Sequence, residues 1–258
     1  MSALATLNIN LNELAVLLSI LLRLSVILFM LPIFTYGQIP NNLKVGLILS
    51  LTLMIYPLVS QDMKPIPLSP LPLSSVVVGE VVFGILFSLS MLLIMTAFQF
   101  AGELIGFETG LGFAQVADPS GRQETVLGVW TQLLAIMVFF SLNGHLVVLR
   151  LIIESFKTVP VGSFELDAAI FGKMLHLSGL LFVLAVKLAA PFMAVLILVQ
   201  VGLGLLSKFA PQINILATSF PITITIGIFF MGLMVAVWGE MAGKSFAELF
   251  IFLRNFTR

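Results

Sequence analysis

Long apolar segments, separated by short polar connections, run through almost the whole sequence. Of the 258 residues, 60% are hydrophobic and 9% are charged, and the mean hydropathy is +1.18. A soluble domain carries about 25% charged residues, and so much apolar surface is more than one globular core can hide. The sequence therefore predicts an all-α, polytopic membrane protein.

The apolar windows predict six helical segments, and several of them are longer than a bilayer requires. The predicted segments span residues 11–34, 43–59, 74–105, 123–156, 167–206 and 215–238. About 20 residues suffice to cross a bilayer, so the third, fourth and fifth segments either stand partly outside the hydrocarbon or break into pieces. In the remaining tail, residues 239–258, apolar side chains recur at helical spacing, which predicts an amphipathic helix at an interface or on a partner.

Prolines mark the connections and the weak points of these segments. Residues 60–73 carry four prolines, a density typical of an extended, polyproline-like spacer. Within the apolar segments, Pro57 predicts an end or a kink and Pro221 predicts a kink, because proline removes a backbone donor. Asp118-Pro119 and the capping box from Ser120 to Gln123 predict that the fourth helix starts there, with Asp118 as a cap rather than a gating charge.

The charge balance and the absence of catalytic motifs argue against nucleic-acid binding and against an enzyme. The net charge is +0 and the pI is about 6.7, so no general field attracts nucleic acid. The sequence has no cysteine, no HExxH or GxSxG motif, and no Gly-rich phosphate loop. His145 and His176 lack neighbouring ligands at metal-binding spacing and are interpreted as packing residues. We therefore expect no catalytic residue, no cofactor and no metal site.

One stretch, between the third and fourth segments, differs in composition from its surroundings. Residues 102–124, GELIGFETGLGFAQVADPSGRQE, contain five glycines, one proline and five charged residues. Such a sequence predicts irregular backbone, which must lie outside the hydrocarbon, be buried in protein, or line an aqueous cavity. A loop folded into a pore as a plug and an interfacial loop both fit, and composition alone favours the interfacial loop. In a plug, Phe107 and Phe113 would seal a narrow pore by excluding water.

Small residues and isolated charges in the apolar segments predict close packing inside an assembly. Gly102, Gly106 and Gly110 form two overlapping GxxxG steps. The positions predicted to serve helix packing are Gly102, Glu103, Gly202 and Gly204. Charges within apolar segments need protein partners, and these charges are Glu80, Glu103 and Lys187. Arg23, near the middle of the first segment, is expected to face a partner, a cavity or a displaced membrane boundary, or else to extend its guanidinium to the interface. Alternatively, a secondary transporter with broken helices would bind its substrate through Arg23, Glu103 and Lys187, although no inverted repeat is evident.

Three runs of residues, taken in this order, resemble the FliR family. They are GELIGFETGLGFAQVADPSG, SLNGHLVVLRLIIESFKTVPVG and GLGLLSKFAPQINILATSFPITITIG. FliR proteins are export-gate subunits of the bacterial flagellar type III secretion apparatus and are related to the SctT/SpaR proteins of injectisomes. Chain length and the six-segment pattern agree as well, so the resemblance covers essentially the whole chain. The N-terminal segment and the tail after Trp238 carry little of the family signature.

The resemblance implies a non-enzymatic core subunit of a protein-conducting channel. The implied partners are FliP and FliQ in a closed helical ring, FlhB and FlhA in the export gate, membrane lipid, and the unfolded flagellar subunits that are exported. The implied fold is a FliP-like part over residues 1–160, a FliQ-like helical hairpin over 161–238, and the tail over 239–258. The implied location is the bacterial inner membrane at the flagellar basal body, with the ring standing largely above the membrane plane toward the periplasm.

The resemblance also implies roles for two connections. The loop over residues 106–122 matches the family's pore plug, and its matched positions are Gly106, Phe107, Gly110, Gly112, Phe113, Asp118, Pro119 and Arg122. The turn over residues 207–214 matches the region near the cytoplasmic entrance where FlhB packs, and its matched positions are Lys208, Pro211 and Gln212. With the resemblance, the plug becomes the preferred interpretation of the loop. A secondary transporter and a basal-body scaffold without a pore stay open as alternatives.

Overall fold

The described part of the chain is built from helices joined by short connections. The computed structural model describes residues 11–36, 39–60, 69–112, 124–164, 166–210, 212 and 214–256. All regular secondary structure in these residues is helical, which confirms the all-α prediction. The helices, numbered in chain order, are α1 Leu11–Met30, α2 Pro32–Tyr36, α3 Asn41–Val59, α4 Pro70–Thr109, α5 Val126–Ser141, α6 Gly144–Thr158, α7 Ala168–Phe209 and α8 Ile215–Phe256.

Five helices in the described residues, α1, α3, α4, α7 and α8, are long and apolar enough to cross a membrane. A sixth crossing results if α5 and α6, which meet at a bend of 68°, count as one broken span. The polytopic prediction is therefore confirmed by length and composition. α4 contains 40 residues and α7 and α8 contain 42 each, so part of each helix lies outside the hydrocarbon or is strongly tilted.

The predicted fourth segment is the one that breaks. α5 ends at Ser141, where the N–H of Leu142 donates to the carbonyl of Val138 at 3.1 Å. Asn143 then has φ of 55°, in the left-handed region that asparagine tolerates better than most residues. The chain starts a new helix at Gly144 in a different direction. An asparagine in a left-handed conformation therefore redirects the chain between two apolar helices.

The predicted proline-rich spacer is wrong for its last residues. Pro70 begins α4 and Pro72 lies in its first turn. Proline is tolerated there because the first backbone N–H groups of a helix have no acceptor within the helix. The earlier residues of the spacer, 61–68, lie outside the described residues. Pro57 and Pro221 lie inside α3 and α8.

α8 joins the predicted sixth segment and the predicted tail in one continuous helix. Its buried side chains near the C-terminus are Phe246, Leu249 and Leu253, the apolar face predicted from their spacing. The exposed side carries an ion pair in which Lys244 Nζ lies 2.7 Å from Glu240 Oε1. The same helix therefore combines a buried apolar stripe with a solvated polar row.

The Cα positions divide the chain into two compact units, each of which we describe by itself. The first consists of Met1–Leu92, Gly144–Leu175 and Glu248–Arg258, and the second consists of Leu93–Asn143 and His176–Ala247. In the first unit, α1 packs against α3. In the second unit, aromatic rings fill the core. The division at residues 160 and 238, which follows from the resemblance to FliP and FliQ, stays a prediction.

Candidate functional site

The predicted plug begins inside a helix rather than in a loop. α4 runs through Gly106 and Phe107 and ends at Thr109. Gly110 has φ of 90°, a conformation that side chains rarely adopt, and the N–H of Gly112 donates to the carbonyl of Gly106 at 2.9 Å. We call residues 107–112 the α4 turn. Glycine at position 110 is therefore required by the backbone and not only permitted by it.

α8 packs directly over the α4 turn. A Cβ atom on Gly110 would overlap the ring of Phe220, with Cε1 2.6 Å away, and a Cβ atom on Gly227 would lie 2.5 Å from Thr109 Cγ2. Both contacts leave room for hydrogen only. The turn and α8 can approach this closely because glycine stands on one side of each contact.

Two neutral hydrogen bonds connect the α4 turn to the helices of the α7–α8 hairpin. The Thr223 hydroxyl donates to the carbonyl of Thr109 at 2.9 Å, and Gln200 Nε2 donates to the carbonyl of Glu108 at 3.2 Å. Thr223 Oγ1 also lies 2.9 Å from the carbonyl of Ser219 in its own helix. A hydroxyl has one hydrogen to donate, so the bond to Thr109 can be exchanged for a local one without leaving the hydroxyl unsatisfied.

A small cavity adjoins these bonds. Its volume is about 140 Å³, and it is lined by Phe107, Glu108, Thr109, Gly110, Gln200, Ser219, Phe220 and Thr223. The side chain of Phe107 is 56% exposed. The α4 turn is therefore held on one side and open on another.

α5 packs against α4 through two of the predicted glycines. A Cβ atom on Gly102 would lie 2.5 Å from the carbonyl oxygen of Leu127 and 2.7 Å from Gly128 Cα. A Cβ atom on Gly106 would lie 3.0 Å from the side chain of Thr125. Backbone of α5 thus replaces the missing side chain of Gly102, as expected for closely packed membrane helices.

The start of α5 differs from the prediction. The N-cap is Thr125, whose hydroxyl accepts from the N–H of Gly128 at 2.8 Å. The predicted starts at Asp118 or Ser120 lie before two non-helical residues, Glu124 and Thr125, and so are not the cap of this helix. A threonine followed by an apolar run was a sufficient cap signal in the sequence.

Gly112 and Thr125, described residues on either side of positions 113–123, therefore both contact Gly106. The N–H of Gly112 bonds to its carbonyl, and Thr125 packs against its Cα. Phe113, Asp118, Pro119 and Arg122 lie between these two residues, outside the described residues. A connection whose two ends lie at one point is typical of compact functional loops.

The remaining predicted positions fall into three environments. Glu103 accepts a hydrogen bond from Gln99 Nε2 at 3.2 Å, and its Cγ lies against Gly128. Gly202 and Gly204 have no described atom within 4 Å of where a Cβ would lie, so their predicted packing role requires a surface outside the described residues. Lys208 and Gln212 are exposed, and Pro211 lies outside the described residues.

Arg23, a predicted substrate ligand of the transporter alternative, has a partner within the chain. Its Nε lies 2.5 Å from Glu80 Oε2, and both side chains are almost completely buried. Lys187 is exposed on α7 and Glu103 bonds to Gln99. No group of three or more His, Asp or Glu residues that could hold a metal ion occurs in the part of the chain that is described. Arg23 is therefore not available to bind a substrate.

The comparisons with known proteins agree with this architecture. Residues 14–249 match the family of bacterial export proteins, family 1. A flagellar biosynthetic protein FliR from Pectobacterium carotovorum subsp. carotovorum is 32% identical over 225 residues, 87% of this chain and 85% of that protein. The chain belongs to the FliR family. FliR of Escherichia coli (strain K12) is 30% identical over 236 residues, 91% of this chain and 90% of that protein.

A more distant FliR, from Bacillus subtilis (strain 168), is 24% identical over 245 residues, 92% of this chain and 93% of that protein. The similarity to FliR proteins thus extends over nearly the whole chain. Together with the apolar helices, it shows a membrane-embedded component of the flagellar export apparatus.

Proposed function

We propose that this FliR-family chain is a non-enzymatic core subunit of the flagellar type III export gate, which helps to form and to close the channel for unfolded flagellar subunits. Its proposed partners are FliP and FliQ in the core ring and FlhB and FlhA in the export gate. Its proposed location is the bacterial inner membrane at the flagellar basal body. The observation that carries the proposal is the α4 turn, where Gly112 and Thr125, described residues on either side of positions 113–123, both contact Gly106.

The α4 turn suits the base of a movable plug. It is attached to the hairpin by hydrogen bonds from Thr223 and Gln200, each of which joins neutral groups. A neutral hydrogen bond contributes about 0.5–1.5 kcal/mol net, and the Thr223 hydroxyl has a second acceptor in its own helix. Displacing the plug segment, 106–122, would therefore break no ion pair at these two attachments.

The α7–α8 hairpin supports a role inside an assembly. Both helices expose large apolar side chains along much of their length, among them Phe182, Leu198, Phe229 and Leu233. Such surface needs lipid or protein cover, and helices of 42 residues are longer than lipid alone can cover. We assign part of this cover to the FliP and FliQ ring.

The turn between α7 and α8 is the proposed contact with FlhB. α7 ends at Phe209, where the N–H of Ala210 donates to the carbonyl of Leu206 at 2.9 Å. Lys208 and Gln212 are exposed in this turn. An exposed cation beside apolar helix ends favours recognition by a partner, because it does little for the fold itself.

Co-expression with FliP and FliQ from the same source tests the proposed function. We expect the chain to purify with both proteins as one stable complex, since its exposed apolar helices need partners. The matched control is the same chain expressed alone, which should aggregate or be degraded. Recovery of the lone chain as a stable monomer that moves a small solute across liposome membranes would overturn the export-gate proposal in favour of the transporter.

A further inference from the structure

A second irregular stretch of backbone follows α6, where the chain turns toward α7. We call residues 159–162 the α6–α7 turn. Gly162 has φ of 76°, and its Cα lies close to Val76 of α4, since a Cβ there would be 2.7 Å from Val76 Cγ2. Five residues separate the turn from α7, the first helix of the hairpin that we assign to contacts with FliP and FliQ. Whatever holds this turn therefore restricts where the hairpin can begin.

The buried ion pair of Arg23 and Glu80 forms hydrogen bonds to the backbone of this turn at two points, one carbonyl and one N–H group. Arg23 Nη2 donates to Glu80 Oε1 at 3.0 Å and to the carbonyl of Val159 at 3.1 Å. Glu80 Oε1 also accepts from the N–H of Gly162 at 3.2 Å. Arg23 Nη1 donates to Ser155 Oγ at 3.2 Å in the last turn of α6. We call these five residues the ion-pair anchor.

Two aromatic rings complete the surroundings of the guanidinium. Its Cζ lies 4.5 Å from the ring centre of Phe83 and 4.2 Å from that of Phe156. Both rings are buried, and the side chains of the ion pair are 0% and 1% exposed. A cation between two ring faces in a dry site is held electrostatically as well as by its hydrogen bonds.

Stability of the fold does not explain why this pair is charged. Apolar side chains of similar volume often replace a buried ion pair with no loss of stability, and a charge in a membrane-spanning helix is costly. Apolar side chains cannot, however, hydrogen-bond the carbonyl of Val159 or the N–H of Gly162. Irregular backbone within a membrane protein needs such partners.

We propose that Arg23 and Glu80 are positioning residues that fix the α6–α7 turn against α4 and thereby set the start of the α7–α8 hairpin. The consequence for export rests on the proposed function above, whereas the fixing of the turn does not. The anchor acts on the hairpin through the backbone of Val159 and Gly162 and touches no exported protein.

An engineered disulfide reports the position of the turn. A Cβ atom on Gly79 of α4 would lie 3.9 Å from Phe164 Cβ, which is close to the mean separation in disulfides. The chain has no native cysteine, so the G79C/F164C chain in native membranes contains only this pair. We expect efficient cross-linking when the ion-pair anchor is intact.

Two variants of the ion pair then decide the proposal. R23M/E80L removes both charges and leaves side chains of similar volume. We expect the chain to accumulate normally in membranes. The cross-linking yield should fall by about fivefold, because the carbonyl of Val159 and the N–H of Gly162 lose their partners. R23K keeps the positive charge but lacks the planar guanidinium and its several N–H donors, so it should also lower the cross-linking yield. The matched control is K244M/E240L, which removes the exposed ion pair of α8 and should leave the yield unchanged.

Each result supports or overturns one part of the proposal. Unchanged cross-linking in R23K and in R23M/E80L would overturn the anchoring of the turn. If R23M/E80L fails to accumulate, R23K alone decides. Lower cross-linking with undiminished flagellar export, measured in the same ion-pair variants without the cysteines, would overturn the link to the gate. Failure of the unmodified chain to assemble with FliP and FliQ would instead overturn the proposed function and leave the cross-linking result standing.

Discussion

The ion-pair anchor and the α4 turn are two ways of holding irregular backbone between long apolar helices. At the anchor, a fully buried arginine and glutamate bind the α6–α7 turn by charged hydrogen bonds. At the α4 turn, the contacts are close packing against Gly110 and neutral bonds from Thr223 and Gln200. Each lies within one of the two compact units.

The difference concerns what happens when one partner is lost. Breaking a buried ion pair leaves a charge without a counter-ion in a dry site, which costs several kcal/mol. Breaking a neutral bond whose donor has a second acceptor costs far less. A chain that must hold one turn and release another would be expected to use charge at the first and hydroxyl and amide groups at the second.

The largest effect is expected from Glu80→Leu. Arg23 would keep its charge and its burial but lose both bonds to the carboxylate, at a cost of roughly 3–5 kcal/mol. We expect little of the chain in membranes, measured by immunoblotting. The double variant R23M/E80L is the control and should accumulate. Equal amounts of the single variant and the unmodified chain would remove the contrast between the two regions.

The second largest effect is expected from Gly102→Ala. The new Cβ would meet the backbone of α5 at Leu127 and Gly128, and overpacking of this kind costs about 1–3 kcal/mol. We expect a lower melting temperature of the purified complex with FliP and FliQ. Gly46→Ala in α3 is the matched control, because no described atom lies within 4 Å of its Cβ position and we assign it no contact with FliP or FliQ. Equal melting temperatures for both variants would show that α5 moves away from the new Cβ atom with no loss of stability.

A smaller and different effect is expected from Thr223→Val. The substitution removes the hydrogen bond to Thr109 but keeps the volume of the side chain. Loss of this bond should lower the stability by about 0.5–1.5 kcal/mol. We expect an assembled complex with an increased ion leak, measured as conductance in planar bilayers. Thr225→Val is the control, since the Thr225 hydroxyl is exposed and its bond among the described residues is to the carbonyl of Pro221 in its own helix. A tight complex would indicate that the α4 turn is held by packing alone.

The smallest effect on stability is expected from Lys208→Glu. Lys208 is exposed near the end of α7, and surface substitutions usually change stability by less than about 0.5 kcal/mol. We expect normal assembly with FliP and FliQ and reduced export of flagellar subunits, measured in the culture medium. Loss of the complex itself would mark Lys208 as a packing residue instead.

The sequence predicted the helices well because hydropathy and length report on a helix locally. It also marked Arg23 as a charge that must face a partner, a cavity or a displaced membrane boundary, or else snorkel, since the cost of a buried charge is readable from one position; the structure selects the partner. The sequence did not predict which partner, because Glu80 lies 57 residues away and nothing local connects the two. Thr223 was missed for the same reason, since its bond to Thr109 spans 114 residues.

Local features were missed where two signals competed. The capping box at Ser120 is a stronger sequence pattern than Thr125, yet Thr125 caps α5. The prolines at 70 and 72 have the composition of a spacer but begin a helix, where their missing N–H groups cost nothing. The bend at Asn143 depends on one left-handed residue, which composition does not reveal.

The most direct test of the proposed gate is the ion conductance of the assembled complex after deletion of Gly110–Ala117. The control is deletion of residues 61–68, a connection of equal length before α4. If the loop closes the channel, the first complex assembles and conducts ions in planar bilayers, while the second assembles and stays tight. A complex that lacks Gly110–Ala117, assembles fully and remains as tight as the unmodified one would contradict the proposal.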